Sequence, residues 1–463
     1  MIFAVTALGA FMASLDLSIV NVAFPSLERS FPHDPRATLA WVITGYSIAF
    51  GSLLVTAGRT ADRIGRKKAF FFGLGVFSLG SIACALAPDV PFLIVGRVVQ
   101  GCGAAALLPA SLGLLLVSFP IERRSEMVSL WAGVGALAVA TGPTLGAVLV
   151  SIGGWRWAFY LNIPVAIVAF LIGRVVLPTT KVVSGSGSPD YLGVVLVSSS
   201  LAALVLGISQ GPTWGWSSPS EVASLSFAVI VMAWFLRRSA HHDVPVLDLE
   251  LFRERSFSIA NLATALYAMG FFAMLLGNIL FLTSVWHYSI IRAGLAITPA
   301  PLVVAPISGR AGRLANRIGF RPVIVAGSAI LASGLVLYAL RVSTHPAFLV
   351  DWLPATLLTG LGIGLTFPVL GAAAVSSLPA DKLAVGSAVN QTSRQIGGAI
   401  GVAILVVILG TPKNIEVAIG NFRSLWLYAA STSVLSGVSA LWLTSHDHHK
   451  VRRSSTQTNN TRW

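Results

Sequence analysis

Apolar stretches of about twenty residues, each long enough to cross a bilayer, recur along the whole chain between short polar segments. They begin near Ile2, Ala37, Ala69, Phe92, Met127, Trp157, Tyr191, Glu221, Phe257, Leu295, Pro322, Val350, Ala384 and Phe422. The pattern predicts an all-α membrane protein of about fourteen transmembrane helices. Two polar segments carry the same phrase. Residues 58–68 read G-R-T-A-D-R-I-G-R-K-K, and residues 312–322 read G-R-L-A-N-R-I-G-F-R-P. A basic hairpin repeated between spans marks a duplicated chain whose halves share one orientation, an arrangement typical of secondary transporters.

The two phrases stand about eight spans apart, whereas plain duplication of six-helix halves would leave six. The simplest division is a six-helix bundle over 1–178, linkers with two inserted helices over 179–256, and a second six-helix bundle over 257–444. A polar tail without apolar periodicity, 445–463, reads as disordered. The segment 184–189 is rich in Gly and Ser, as a linker would be. Trp214 and Trp216 suit a hairpin anchored at the outer interface.

Composition strengthens the membrane assignment. Of 463 residues, 55% are hydrophobic and only 10% charged, and the mean hydropathy is +0.81. The formal net charge of +14 could suggest nucleic acid, but the charges crowd into alternate short loops. One set holds Arg59, Arg63, Arg66, Lys67, Lys68, Arg123, Arg124, Arg310, Arg313, Arg317 and Arg321 among others, while the opposite set holds only Arg29, Arg36, Arg156, Arg292, Arg341 and Lys413. The positive-inside rule then puts both termini in the cytoplasm of a cell that carries this chain in its inner (cytoplasmic) membrane, and no nucleic-acid partner is expected. Cys84 and Cys102 fall inside spans and read as packing residues. No metal site is expected, the cluster His446, His448 and His449 being part of the polar tail. Met1 runs directly into apolar residues with no basic flank, so the first span is expected to be short or to begin upstream; no signal-peptide pattern is present.

A charge inside hydrocarbon costs about 3 kcal/mol or more, so an intramembrane acid is a functional candidate by default. Asp16 is the clearest, about nine residues before Pro25 and hence roughly 14 Å below the outer end of its helix. A carboxyl there could exchange protons. Arg97 and Gln100, three residues apart, share one face of the fourth span at a similar depth, so Asp16 and Arg97 could couple through water. In the fifth span, Gly135, Gly142 and Gly146 permit close helix contact, and Pro143 should kink the helix. Packing alone accounts for such glycines almost as well. In the first basic phrase, Gly58, Asp62, Arg63, Gly65 and Arg66 could form a charge network that holds one state closed, with Arg313 and Arg317 in the second copy. Arg394, placed at the cytoplasmic end of its span, either snorkels to the interface or lines a cavity. Asn21, Tyr46, Gln100, Trp131, Tyr267, Asn278, Gln391 and Arg394 are candidate cavity residues.

Together these phrases resemble the major facilitator superfamily, in particular its fourteen-span drug:proton antiporter branch. Residues 11–25 are similar to that branch's first-span motif, 58–68 to the superfamily's loop motif, 97–103 to the fourth-span R-x-x-Q-G motif and 141–146 to the antiporter motif. Trp155–Pro164, W-R-W-A-F-Y-L-N-I-P, and 390–401 resemble further motifs of the branch. The resemblance implies alternating access of two bundles around a central cavity and proton-coupled export of small lipophilic compounds (drugs, antibiotics or toxic metabolites) by a monomer without cofactors. By the same resemblance Asp16 and Arg97 serve proton coupling, Asp62 the inner gate, and Gly142 with Pro143 the fifth helix. Asn316 replaces the gate acid in the second copy, and acids in the second-half spans that some members use for cationic drugs are missing. A proton symporter for a nutrient and a non-transporting membrane sensor are the rival readings. A membrane enzyme fits least, since no nucleophile elbow, phosphate loop or metal-ligand spacing stands out.

Overall fold

The computed structural model describes residues 1–179, 190–378 and 382–443. The linker expected at 184–189 and the tail expected at 445–463 lie outside the described residues. Among the described residues, twelve helices are long and apolar enough to cross a bilayer. They are α1 (Ile2–Ser30), α2 (Arg36–Ile64), α3 (Arg66–Ala85), α4 (Val90–Ser118), α6 (Trp157–Val176), α7 (Tyr191–Trp214), α8 (Pro219–His241), α9 (Arg255–Ser284), α10 (Ile290–Ile318), α11 (Phe320–Arg341), α12 (Phe348–Val375) and α13 (Leu383–Leu409). Two more long helices, α5 (Ile121–Gly153) and α14 (Ile415–Ala440), bring the set to fourteen. Their apolar character is interrupted: α5 begins with the charged run 122–126, and α14 carries Glu416 and Arg423.

Duplication is visible in the packing. In the first half α3 packs on α4, α2 on α4, α1 on α5, and α6 on both α1 and α3. Shifting every number by eight gives the second half: α11 on α12, α10 on α12, α9 on α13, and α14 on both α9 and α11. The repeated phrase has the same backbone in both copies. Gly65 (φ +93°) and Gly319 (φ +94°) each break one helix and start the next, in a conformation glycine adopts without steric cost.

The halves meet along two seams, α2 against α13 and α5 against α10, with α1 touching α9 between them. Small residues permit the approach. A Cβ at Gly294 of α10 would lie 2.9 Å from the Pro143 carbonyl of α5, and a Cβ at Gly51 of α2 would lie 3.0 Å from Gln395 of α13. Toward the end remote from the basic phrases, one continuous apolar core joins Phe24, Val42 and Trp155 of the first half to Phe281 and Trp352 of the second. Toward the basic end the first half has its own core around Tyr46, Phe50, Phe70 and Phe77.

Candidate functional site

Asp16 lies at the middle of α1 and is fully buried, as is Arg97 on α4. They touch directly, Arg97 Nη1 donating to Asp16 Oδ2 at 2.5 Å, where the sequence suggested coupling through water. Gln100, one turn on from Arg97, donates through Nε2 to Asp16 Oδ1 at 2.8 Å, and its Oε1 accepts from Arg97 Nη1 at 2.7 Å. The i, i+3 spacing makes this geometry reachable from a single helix face.

Two further residues complete the network, and the sequence did not single them out. Asn162 on α6 donates to Asp16 Oδ1 at 3.2 Å and to Ser81 Oγ at 2.8 Å. Ser81 on α3 also accepts from Gln100 Nε2 at 2.9 Å. Arg97 is held besides by the Val42 carbonyl, 2.7 Å from its Nε, and its guanidinium lies 4.2 Å from the centre of the Tyr46 ring. Five helices, α1, α2, α3, α4 and α6, are thus tied by one buried polar cluster. Asn162 stands in the W-R-W-A-F-Y-L-N-I-P phrase as a lone amide at the mouth of an apolar run, a usable signal. Ser81 has no such signal, since serines of its kind recur throughout the spans.

Two residues beyond Asp16, Ser18 faces α5 of its own half. Its hydroxyl donates to the Val139 carbonyl of α5 at 3.1 Å. It also borders a cavity of about 80 Å³ between the halves, whose other walls include Val139 and Pro143 of α5, Phe271 and Asn278 of α9, Val304 of α10 and Thr359 of α12. Drug-sized ligands occupy pockets of about 300–1,000 Å³, so this cavity must widen to admit one. Directly beyond it, toward the end remote from the basic phrases, Thr144 and Thr298 share a hydrogen bond of 2.6 Å across the α5–α10 seam.

Of the other residues expected at the cavity, Asn278 lines it, its Oδ1 accepting from Trp426 Nε1 at 2.9 Å. Tyr46 lies under Arg97, and Gln100 belongs to the ion-pair network. Asn21 folds back on the Leu17 carbonyl of its own helix. Trp131 donates to Ser111 Oγ at 3.0 Å, tying α5 to α4. Tyr267 is buried among Phe271 and Phe367. Gln391 is half-buried on α13. Arg394 differs from its expected place at a helix end: α13 begins at Leu383, so Arg394 is about 16 Å in, with its guanidinium 5.0 Å from the Phe367 ring. A polar patch on the same helix, also unforeseen, has Asn390 Nδ2 donating to Thr264 Oγ1 at 2.9 Å and to Asn261 Oδ1 at 3.2 Å.

At the basic end, Arg66 Nε donates to Asp62 Oδ1 at 2.8 Å, and Arg66 Nη1 to the Gly113 carbonyl of α4 at 2.8 Å. Lys67 caps the end of α6 through the Leu177 carbonyl at 2.7 Å. Gly58 packs against Pro109, and a Cβ there would sit 3.4 Å from the proline ring. Arg63 is half-buried beside this clamp, whereas Arg313 and Arg317 of the second copy are exposed. On α5, Gly135, Gly142 and Gly146 all face α1, meeting Ser14, Ser18 and Ile19. Pro143 faces the other half instead.

A family model described as Major Facilitator Superfamily matches residues 6–402. The chain belongs to that superfamily. It is therefore a multi-pass membrane transporter and not an enzyme. It is 35% identical over 411 residues to the multidrug resistance protein Stp of Mycobacterium tuberculosis, covering 87% of this chain and 74% of that one. It is 34% identical over 420 residues to the methylenomycin A resistance protein of Streptomyces coelicolor (88% and 85% covered). The tetracenomycin C resistance and export protein of Streptomyces glaucescens is 31% identical over 410 residues (88% and 75% covered). Among solved structures, a D-xylose–proton symporter superposes with a TM-score of 0.67 over 96% of this chain and 97% of the other. At 14% identity that likeness concerns the fold.

Proposed function

We propose that this transporter exports small lipophilic compounds in exchange for protons, with Asp16 as the proton-binding group. The observation that carries the reading is the buried Asp16–Arg97–Gln100–Asn162–Ser81 network, two residues along α1 from a cavity-lining serine. Buried ionic groups of this kind contribute little net stability against an apolar replacement, so a switching role is a natural reason for keeping one.

The geometry suits two protonation states. When Asp16 takes up a proton, the ion pair with Arg97 weakens. Arg97 keeps the Val42 carbonyl, Gln100 Oε1 and the Tyr46 ring. Gln100 and Asn162 keep Ser81 Oγ as an acceptor. The polar groups therefore stay satisfied while α1 is released from α4. Because Ser18 on α1 also holds Val139 of α5, the change reaches the cavity wall. Alternate parting of the two ends then exposes the cavity to one side of the membrane at a time. Asp62 and Arg66 clamp the basic end in this scheme, with Gly58, Arg63, Gly65, Arg313 and Arg317 at the same hairpins. Gly135, Gly142, Pro143 and Gly146 set how closely α5 follows α1.

In this scheme the basic loops and both termini lie in the cytoplasm, in keeping with the positive-inside rule, and the moving parts are 1–178 and 257–444, with 179–256 between them. Export is favoured over import by the relatives named for resistance. The test uses inside-out membrane vesicles holding a proton gradient, challenged with lipophilic antibiotics and dyes. Compound-dependent gradient collapse that is lost in Asp16→Asn is expected. Collapse that never depends on compound, across a broad panel and with insertion verified, would contradict the reading.

A further inference from the structure

Arg394 is the one charged residue within α13, and the packing of that helix fixes where it faces. One flank of α13 lies on α2, with Thr392 Oγ1 donating to the Gly51 carbonyl at 2.7 Å. The opposite flank lies on α9, where Asn390 Nδ2 donates to Thr264 Oγ1 and a Cβ at Gly397 would meet the Ala265 carbonyl. The back of the helix, Ile396 and Ala403, clusters with Leu201 and Val205 of α7. Successive residues turn by about 100°, so one face remains. It carries Gln391 and Arg394, three residues apart, and it looks into the interior between α2 of the first half and α9 of the second.

The guanidinium stops short of the membrane surface. It lies over Phe367, which stands about 12 Å from the basic end of α12. Phe367 packs in turn on Phe271, ring centres 5.1 Å apart, and Phe271 borders the cavity between the halves. Arg394 therefore closes an aromatic path that begins at the cavity wall. Both Arg394 and Gln391 are half-buried, and neither makes a hydrogen bond to another described residue; Arg394 Nε is buried without a partner. Among the described residues no carboxylate neutralises the charge. Asp16 is taken by Arg97, and Glu221 lies at the far end of the α7–α8 hairpin. An unbalanced cation at this depth is costly, and an anion entering the cavity would remove that cost.

We infer that Arg394 and Gln391 form an anion subsite of the substrate cavity, and that the exported compounds include amphiphilic carboxylic acids. The carboxylate takes the guanidinium, which offers it two parallel N–H donors, and the Gln391 amide supplies a third. The apolar body lies along Phe367 and Phe271, so the acid group points toward the basic end and the body toward the opposite one. That such acids are exported rests on the reading above; that they bind rests on the unpaired cation and the aromatic path.

The test is equilibrium binding to the purified full chain in detergent micelles at neutral pH, read by scintillation proximity. The ligands are tritiated naphthylacetate, biphenylacetate and phenylbutyrate, each paired with its uncharged primary amide. At least one acid is expected to bind about ten- to a hundredfold more tightly than its amide, the range of a hydrogen bond to a charged group. Arg394→Gln is expected to remove that preference by weakening the acid and sparing the amide. Should this variant fail to fold, Arg394→Lys replaces it; it keeps the charge but loses the fork, and the preference should fall severalfold. A merely structural role for Arg394 would weaken acid and amide alike. That result, no preference for any acid in the wild type, or a preference undiminished by the substitution would each overturn the inference. The readout needs neither a gradient nor transport. Neutral compounds that collapse a gradient while no acid is preferred would leave the export reading standing without this subsite. Acids that bind through Arg394 but never move protons would leave the subsite standing without the export reading.

Discussion

Replacing Asp16 by asparagine should cost the first half more than any surface change, and the network shows why. The carboxylate accepts from Arg97 at 2.5 Å, Gln100 at 2.8 Å and Asn162 at 3.2 Å. An asparagine can offer its oxygen to Arg97 or to the two amides, and its own amide nitrogen then faces donors. Arg97 is left buried without its counter-charge. Breaking one partner of a buried pair costs about 3–5 kcal/mol. Arg97→Gln should cost a similar amount, through the stranded carboxylate. The double variant removes both charges and should cost less than the sum by a coupling energy of about 2–3 kcal/mol. Equilibrium unfolding in mixed detergent micelles, followed by tryptophan fluorescence, measures all four corners of the cycle. If the single costs add in the double variant to within about 0.5 kcal/mol, Asp16 and Arg97 do not act as a pair and the reasoning fails.

Other consequences are open to direct measurement. Thr144→Cys with Thr298→Cys places two thiols where two hydroxyls lie 2.6 Å apart; oxidation should lock this end of the α5–α10 seam and stop transport, and reduction should restore it. Gly142→Val drives a side chain into Ser18 of α1 and should lower thermal stability by about 1–3 kcal/mol, whereas Gly75→Ala meets open space and should be neutral or stabilising by up to about 1 kcal/mol. Arg394→Gln should leave insertion and folding intact but change which compounds collapse a proton gradient. The motive is that α9 and α12 carry no charged residue beyond their first turns, so Arg394 is a cation those helices do not balance. An unchanged compound profile would remove it from the binding surface.

How much of this was legible in the sequence depends on whether a single helix carries the information. The duplication, the fourteen helices and the inserted pair followed from apolar run length and a repeated phrase, because a bilayer enforces both. The pairing of Asp16 with Arg97 and Gln100 was readable as depth and face, since each position follows from helical rise and spacing. Asn162 was marked only as a lone amide in the phrase 155–164 and Ser81 not at all, because their pairing arises only when α6 and α3 are brought against α1. Glu221 shows the same limit. It is close to a helix start, as its position suggested, yet its carboxylate is buried against Gly207 of α7 with no hydrogen-bond partner among the described residues. Arg394 was placed too near the membrane surface although the start of its helix was read to within a residue, because about ten residues of helical rise from that start were not counted. Which helices meet at the two seams lies wholly in tertiary packing: small-residue faces in the sequence do not say which neighbour they will meet.

In the proposed scheme protons and substrate are coupled through Asp16. The most direct measurement follows dye efflux and proton uptake together in proteoliposomes containing the wild type or Asp16→Asn, with and without a proton gradient. The variant is expected to lose gradient-driven accumulation and proton uptake while still exchanging dye at equilibrium. Undiminished gradient-driven transport in Asp16→Asn would contradict it.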